Sequence, residues 1–418
     1  MKKFLEGIKY WGQLLLLPIY WFSFLFPRNK NIWLFGSTFG RRFADNPRYF
    51  YLYVSQMVKK KNVNDNPCMI DGKPIRPIWI SHNKEIVELL NENGYEAYYN
   101  HSLKGIWYCL RGRVYCFDNY SKDISFWLSG GALKFNMWHG IPLKKIQADN
   151  IFDKVRHPKN AWEKFKSFPR RLSDEKPSHY VLTTSEFMKP IFQSAFQTKK
   201  VSTAGYPRID GFAFREIQNI YTDVEQKTLD KIQRCLDKNP EGKVIYYMPT
   251  FRDSEVAFFD VMDLELFNAY LKENHYVFCT KLHPKSKLRA RFESIESDNI
   301  INIDADTDPY VFVSISDVLV TDYSSIYFDY LFANRPIVFF DYDLEQYLKD
   351  SREMYFDYEE YTPGVKASTQ EELQQSLTDV LNEDEFIKQR KQLQERIYDE
   401  TGQAICGNLI KEIKDIIQ

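Results

Sequence analysis

Residues 132–150 read ALKFNMWHGIPLKKIQADN. Apolar and polar side chains alternate over residues 133–138, which predicts a short strand. This strand ends at His139-Gly140, and Pro142 then occupies the position of a first helical residue. The pattern places an imidazole at the carboxyl end of a strand, which is the edge where open α/β sheets bind ligands. A core histidine beside a turn glycine is the alternative interpretation.

Length and composition limit the possible architectures. A chain of 418 residues is too long for a single core and predicts two domains of about 200 residues each. The 56 basic and 57 acidic residues leave a net charge of -1, which argues against a general nucleic-acid binder. The six cysteines include no C-x-x-C pair, so the sequence indicates a reduced, intracellular protein without a zinc site.

The first thirty residues combine an apolar run with basic flanks. Residues 10–26, YWGQLLLLPIYWFSFLF, follow Lys2, Lys3 and Lys9. The run contains Pro18 and is slightly short for a spanning helix, which needs about 20 apolar residues. Its aromatic content predicts a segment that lies in the membrane interface. A signal peptide and a buried amino-terminal helix are the alternatives.

Strand and helix patterns alternate along most of the chain. Strands are predicted at 32–35, 77–81, 95–99, 114–117, 133–138, 180–183, 201–205, 244–248, 276–281, 300–303, 318–321 and 336–340. Helical patterns lie between them, and residues 371–418 are predicted to be helical. This alternation predicts an α/β fold with parallel sheets. We predict domains at 31–205 and 206–390, with a membrane-interface segment at 1–30 and a helical tail at 391–418.

A basic stretch rich in aromatic residues interrupts the first domain after residue 150. Its basic side chains are Lys154, Arg156, Lys159, Lys164, Lys166, Arg170 and Arg171, interleaved with Trp162, Phe165 and Phe168. One interpretation is a solvated helix face. The other is a surface that meets anionic lipid headgroups or a pyrophosphate-linked acceptor.

Polar residues directly follow several predicted strands of the second domain. Arg252 follows one strand and His283 follows the next. A third strand leads into Ser324 and Ser325, with a helix predicted from Ile326. Free backbone N–H groups and hydroxyls at a helix N-terminus can bind phosphate, although simple N-capping is the alternative. The sequence has no Walker pattern and no G-x-G-x-x-G, so it indicates neither an ATPase nor a dinucleotide enzyme.

Five segments, in this order, resemble the CDP-glycerol glycerophosphotransferase family. They are MWHGIPLKK (137–145), GYPRID (205–210), MPTFRD (248–253), KLHP (281–284) and DVLVTDYSSIYFDYL (317–331). The resemblance implies a GT-B architecture, in which two Rossmann-like domains face each other across a cleft. It also implies transfer of a polyol phosphate, most often glycerol phosphate, from a CDP-activated donor to a hydroxyl, with release of CMP. Members of this family build teichoic acids, and relatives build capsules.

The resemblance further implies roles for individual residues. His139 would act as the general base, and His283 would stabilise the leaving group. The donor phosphates would be bound by Arg252, Thr321, Asp322, Ser324 and Ser325. The remaining expected site residues are Gly140, Lys144, Arg208, Thr250 and Pro284.

The resemblance also implies partners and a location. The expected acceptor is a lipid-linked or glycan hydroxyl, and the donor is a CDP-polyol. We expect no metal and no further cofactor, because the protein's own cations and amides can neutralise the diphosphate. We expect a peripheral protein on the cytosolic face of the bacterial plasma membrane, in contact with its anionic surface. A GT-B glycosyltransferase that uses a nucleotide sugar and a non-catalytic scaffold for envelope assembly remain the alternatives.

Overall fold

The structure is a computed structural model that describes residues 7, 10–60, 66–174, 178–215, 217–252, 255–295, 297–350, 353–400 and 405–418. Its strands are β1 (Asn29–Phe35), β2 (Met69–Ile70), β3 (Lys73–Pro74), β4 (Arg76–Ser81), β5 (Ala97–Tyr99), β6 (Gly112–Phe117), β7 (Leu133–Asn136), β8 (Tyr180–Leu182), β9 (Val201–Ser202), β10 (Lys243–Tyr247), β11 (Tyr276–Thr280), β12 (Ile300–Asn302), β13 (Val318–Thr321), β14 (Ile337–Phe340) and β15 (Val365–Ala367). Lys2, Lys3 and Lys9 of the predicted basic flank lie outside the described residues.

The helices alternate with these strands as the sequence predicts. They are α1 (Leu17–Phe22), α2 (Asp45–Lys59), α3 (Lys84–Glu92), α4 (Leu103–Arg111), α5 (Ala161–Asp174), α6 (Lys189–Phe196), α7 (Pro207–Phe212), α8 (Asp223–Lys238), α9 (Val256–Val261), α10 (Leu264–Glu273), α11 (Leu288–Glu293), α12 (Pro309–Val313), α13 (Ile326–Tyr330), α14 (Leu344–Asp350), α15 (Tyr358–Tyr361), α16 (Gln370–Asn382), α17 (Ile387–Ile397) and α18 (Ile405–Ile417). Short 3-10 turns lie at Gln13–Leu16, Ser23–Leu25, Thr38–Gly40, Ser121–Asp123 and Gln147–Asp149.

The first unit holds a parallel sheet with the strand order β5-β4-β1-β6-β7-β8-β9. The chain builds outward from β1 to β5 and then returns to the other side of β1 with β6. The sheet core is built from Ile32, Leu34, Ile78, Ile80, Tyr115 and Phe117. The direction of strand addition reverses between β1 and β6, and a crevice for ligands forms at the carboxyl ends of strands that flank such a reversal.

The second unit repeats this plan with a parallel sheet in the order β12-β11-β10-β13-β14-β15. Here the reversal lies between β10 and β13, so their carboxyl ends define the corresponding crevice. The strands are buried on both faces, as expected for a parallel sheet covered by helices. Two α/β units of this kind confirm the predicted fold class.

The division between the units differs from the predicted domain boundaries. The first unit consists of 1–139, 146–220 and 398–418, and the second of 140–145 and 221–397. The first unit extends beyond residue 205 because α7 packs closely on α2, where a Cβ at Gly211 would lie 2.1 Å from Tyr49 Cδ1. Residues 398–418 join the first unit because α18 packs on α7 and α2, so the predicted tail is not a separate element.

Candidate active site

His139 lies just beyond β7 at the carboxyl edge of its sheet, with an exposed side chain. The ladder to β6 ends where Met137 N donates to Phe117 O at 2.7 Å, and the chain then turns at Trp138, whose φ is +49°. His139 Nδ1 lies 3.2 Å from the carbonyl oxygen of Asp118, and the Trp138 ring centroid lies 3.9 Å from that of His139. Because a carbonyl oxygen can only accept, Nδ1 carries the hydrogen and Nε2 of the neutral ring can take a proton.

Two buried carboxylates shape the loop beside His139. Asp118 accepts a hydrogen bond from Thr38 N at 2.8 Å, and Asp123 accepts one from Phe39 N at 2.8 Å. Thr38 and Phe39 adopt φ values of +46° and +57°, a conformation that costs residues with a Cβ about 1–2 kcal/mol each. Burial, and then the neighbouring Asp123, raises the pKa of Asp118 well above its usual range, and burial raises the pKa of Asp123. These two carboxyl groups therefore fix a strained loop at the carboxyl edge of the first sheet.

Asp118 is not among the predicted site residues, although its position in the sequence carries the same signal as theirs. Asp118 directly follows the strand β6, just as Arg252 and His283 come after strands of the second unit. The rule that identified those two residues would have identified Asp118 as well.

Arg208 lies inside the first unit, with a completely buried side chain. Its Nη1 donates to Asp45 Oδ1 at 2.6 Å, and its guanidinium stacks over the Tyr206 ring at 4.4 Å. The structure therefore places this predicted site residue in an internal ion pair rather than on an open surface. A contact with substrate would require that pair to open.

Arg252 lies at the carboxyl edge of the second sheet, and its side chain is 8% exposed. Its Nε and Nη2 donate to the two carboxylate oxygens of Asp343 at 2.5 and 2.7 Å. Its Nη1 donates to Asp322 Oδ2 at 2.7 Å and to Thr250 O at 2.9 Å. Burial opposes the charge, but Asp322 and the hydrogen-bonded Asp343 outweigh it and raise the pKa of Arg252. The guanidinium of Arg252 thus links the loops that follow the strands β10, β13 and β14.

The predicted phosphate-binding loop, which we term the phosphate loop, consists of residues 322–325 and follows β13. Asp322 Oδ1 accepts hydrogen bonds from Thr250 N at 2.8 Å and Ser324 N at 3.1 Å, and its side chain is almost completely buried. Thr321 is also buried, and its hydroxyl donates to Met248 O at 2.9 Å. Thr321 and Asp322 therefore hold the loops after β10 and β13 together, whereas the half-buried Ser324 and Ser325 stand at the start of α13.

The segment after His139 belongs to the second unit and is not helical. Tyr355 N donates to Leu143 O at 2.8 Å, and Lys145 N donates to Glu353 O at 2.8 Å. These long-range bonds hold residues 140–145 extended, so the helix predicted at Pro142 does not form. Gly140 lies against the phosphate loop, because a Cβ there would stand 3.0 Å from Ser325 Oγ.

Lys144 brings a cation to the same group of loops. Its Nζ donates to Thr250 Oγ1 at 3.3 Å and to Tyr347 OH at 3.0 Å, and the Tyr347 ring stacks on Tyr323 with centroids 4.1 Å apart. The structure therefore brings together Lys144, Thr250, Arg252, Asp322 and Ser324. Tyr347 and Asp343 were not selected from the sequence, since Asp343 lies in the turn after β14 and Tyr347 lies on α14, both about ninety positions after the motif that contains Arg252.

His283 follows β11 and is exposed, as is the adjacent Pro284. Its Nδ1 accepts a hydrogen bond from Lys285 N at 3.3 Å, and its ring centroid lies 4.6 Å from that of Phe251. An Nδ1 that accepts leaves the hydrogen of the neutral ring on Nε2. His283 therefore presents an N–H donor, whereas His139 presents an acceptor.

The chain is similar to curated proteins along most of its length. The chain is 29% identical over 381 residues to a teichoic acid poly(glycerol phosphate) polymerase of Bacillus spizizenii, an alignment that covers 86% of this chain and 87% of the relative. It is 28% identical over 402 residues to a teichoic acid glycerol-phosphate transferase of Staphylococcus aureus, with 92% and 94% covered.

A solved structure of the wall teichoic acid polymerase TagF, 22% identical, superposes with a TM-score of 0.68 over 100% of this chain and 96% of that chain, and shows the shared GT-B fold. The family model for CDP-glycerol:poly(glycerophosphate) glycerophosphotransferases matches residues 19–402. The chain therefore belongs to this transferase family.

Proposed function

We propose that this enzyme transfers glycerol phosphate from CDP-glycerol to a hydroxyl of a teichoic-acid-type acceptor and releases CMP. The observation that carries the proposal is the exposed His139 imidazole, whose Nδ1 faces the Asp118 carbonyl and whose Nε2 can accept a proton. The two relatives that align along most of their length are named for glycerol phosphate, which favours glycerol over another polyol.

In the proposed reaction, the hydroxyl oxygen of the acceptor attacks the phosphorus atom that carries the glycerol group of the donor. His139 Nε2 takes the proton of that hydroxyl during the attack. The new oxygen–phosphorus bond forms while the bond from that phosphorus to the bridging oxygen breaks. The electron pair of the broken bond leaves with CMP. A positioned general base of this kind contributes about 10²–10⁴-fold to the rate.

The donor diphosphate would be bound by the loops of the second unit. Lys144, the Ser324 and Ser325 hydroxyls and the Nε2 hydrogen of His283 supply donors that can meet phosphate oxygens. Arg252 would act mainly through Asp322 and Asp343, because its guanidinium already bonds both carboxylates. We expect transfer to persist in the presence of a chelator, because the Lys144 cation and the neutral hydroxyl and N–H donors can meet the phosphate oxygens without a metal.

We also propose that the enzyme works on the cytosolic face of the membrane, where a lipid-linked acceptor would be anchored. Exposed aromatic side chains form what we term the docking surface, made up of Trp21, Phe22, Phe24, Trp162, Phe165 and Phe168. The amino-terminal segment contacts α5, since Trp11 stacks on Phe165 with centroids 4.8 Å apart and Tyr10 OH donates to Lys166 O at 2.7 Å.

The charge of α5 favours binding at this surface. Helix α5 carries the cations Lys164, Lys166, Arg170 and Arg171 beside its aromatic residues, which suits an interfacial helix on anionic lipid. Within the described residues, every helix is too short or too polar to cross a bilayer.

The deciding experiment incubates the full chain with CDP-glycerol, CDP-ribitol or a UDP-sugar and a lipid-linked glycerol phosphate acceptor. We expect acceptor-dependent CMP release with CDP-glycerol. UDP release would instead identify a glycosyltransferase. Faster turnover of CDP-ribitol would overturn the choice of polyol, and no release from any donor would contradict the proposed activity.

A further inference from the structure

We propose that Asn46 is a positioning residue that holds the bend presenting His139, an inference that rests on the proposed role of His139. Asn46 is fully buried on the first turn of α2. Its Nδ2 donates to two successive carbonyl oxygens, Met137 O at 3.0 Å and Trp138 O at 2.9 Å. One carboxamide therefore satisfies both backbone acceptors immediately before His139.

The bend needs this support because its backbone is strained. Trp138 has a φ of +49°, a left-handed conformation that bulky residues rarely adopt. Trp138 N donates to Asn136 Oδ1 at 2.9 Å, so a second carboxamide satisfies the amide at the same bend. Relaxation of Trp138 to an ordinary conformation would redirect the following residue and break the contact between His139 Nδ1 and Asp118 O.

Arg208 fixes Asn46 in turn. Arg208 N donates to Asn46 Oδ1 at 3.4 Å, and the Arg208 side chain pairs with Asp45, which has a φ of +61°. The DNPR segment at 45–48 and the GYPR segment at 205–208 thus form one buried support for the bend. This arrangement gives Arg208 a role in the site without a contact to substrate.

Asn46→Asp tests the inference with almost no change in shape. The carboxylate keeps an acceptor for Arg208 N but places oxygen against the carbonyl oxygens of Met137 and Trp138. We expect kcat to fall at least about tenfold, since small misplacements of a catalytic group can cost about 10²-fold. The KM for CDP-glycerol should stay within about twofold of the wild-type value, because the loops that we propose bind the donor diphosphate lie in the second unit, whereas Asn46 lies in the first.

Asn31→Asp is the matched control. Asn31 Nδ2 also donates to backbone carbonyls, Ile70 O at 3.2 Å and Lys73 O at 3.0 Å, and Asn31 lies near the amino end of β1. This variant should keep the wild-type kcat. An equal loss of kcat in both variants would overturn the positioning role, because a half-buried carboxamide that bonds carbonyls elsewhere in the first unit would then have the same effect.

A double-mutant cycle separates positioning from general destabilisation. If Asn46 acts through His139, Asn46→Asp added to His139→Ala should cost no further activity. Additive losses would contradict the proposal. If Asn46→Asp does not fold, Asn46→Ala replaces it, because it removes both hydrogen bonds to the carbonyls without placing a charge in the core and should also lower kcat.

A readout without turnover distinguishes this inference from the proposed function. The NMR signal of His139 Cε1–H should shift in Asn46→Asp and stay unchanged in Asn31→Asp. An unchanged signal in both variants refutes the positioning role whatever the enzyme transfers. A shifted signal in a protein whose His139→Ala variant retains full activity would instead refute the role of His139 as the base.

Discussion

Arg252 and Asp343 form a two-point ion pair, with Nε to Oδ2 at 2.5 Å and Nη2 to Oδ1 at 2.7 Å. The remaining nitrogen, Nη1, bonds Asp322 and Thr250 O, so the guanidinium connects the loops that follow β10, β13 and β14. Such a fork has a geometry that a lysine ammonium cannot reproduce. The arrangement of these three loops, which we propose bind the donor, therefore depends on the shape of Arg252 as well as on its charge.

We expect Arg252→Lys to weaken CDP-glycerol binding and to lower the melting temperature, although the charge is kept. A lysine ammonium cannot make all the hydrogen bonds of the fork, and one lost charge-assisted hydrogen bond costs about 1.5–3 kcal/mol, or about tenfold or more in affinity if the loops that bind the donor lose this support. Calorimetry with CDP-glycerol and thermal unfolding measure the two effects. Arg289→Lys, which alters an exposed pair with Glu293, is the control and should leave donor affinity unchanged. Wild-type affinity in Arg252→Lys would show that the fork is dispensable.

We expect His139→Ala to reduce transfer about 10²–10⁴-fold, the usual contribution of a general base. Donor affinity should be preserved, because the imidazole acts on the acceptor hydroxyl. Single-turnover rates and calorimetry separate the two quantities. His157→Gln, a change at another exposed histidine of the first unit, should have no effect on transfer. A parallel loss of donor binding and turnover in His139→Ala would assign the residue to donor binding instead.

The sequence predicted more of the fold than of the site. The boundaries of the strands that precede His139, Arg252 and His283 were predicted to within a few residues, because buried parallel strands have a strong local pattern of apolar residues. The pairing of Arg252 with Asp343, ninety-one positions away, has no local signature. The extended course of residues 140–145 was mispredicted for the same reason, since Pro142 favours a helix start locally but the backbone bonds of Leu143 and Lys145 are made with distant residues.

We expect the Asp118 carboxyl group to contribute to the free energy of unfolding of the wild-type protein, and this contribution should decrease as pH rises. Burial and the neighbouring Asp123 raise the pKa of Asp118 in the folded state, so the folded state binds this proton more tightly than the unfolded state. The proton therefore stabilises the fold at low pH. This stabilisation is lost as pH rises from the ordinary carboxyl range, about 3.9, through the raised pKa of Asp118.

Asp118→Asn should remove that dependence, because the amide can donate to Asp123 at every pH. Between pH 4 and pH 8, the urea midpoint of unfolding of Asp118→Asn should increase relative to that of the wild type as pH rises. Asp71→Asn, at an exposed carboxylate paired with Lys30, is the control and should show no such trend. A constant difference between Asp118→Asn and wild type would mean that the raised pKa does not contribute to stability.

We expect a double change of Trp162 and Phe165 to serine to weaken binding to phosphatidylglycerol vesicles at least tenfold. These side chains are 61% and 55% exposed and lie three residues apart on one face of α5. Burial of an exposed aromatic side chain in an apolar environment contributes about 1.5–3 kcal/mol. The nearby Lys164, Lys166, Arg170 and Arg171 each add about 1 kcal/mol on anionic lipid, so binding should also weaken as salt is raised. Sedimentation with vesicles measures both effects.

The control for this change is Trp107→Ser, which removes an exposed tryptophan on α4, outside the docking surface. It should leave vesicle binding intact. The double variant should still transfer glycerol phosphate to a short, soluble acceptor, because the docking surface contains no residue of the proposed reaction. Equal binding by wild type and the double variant would place the membrane contact elsewhere. If alkaline carbonate fails to release the full-length protein from membranes, the interaction is not peripheral, and the proposed binding through exposed aromatic and basic side chains alone is wrong.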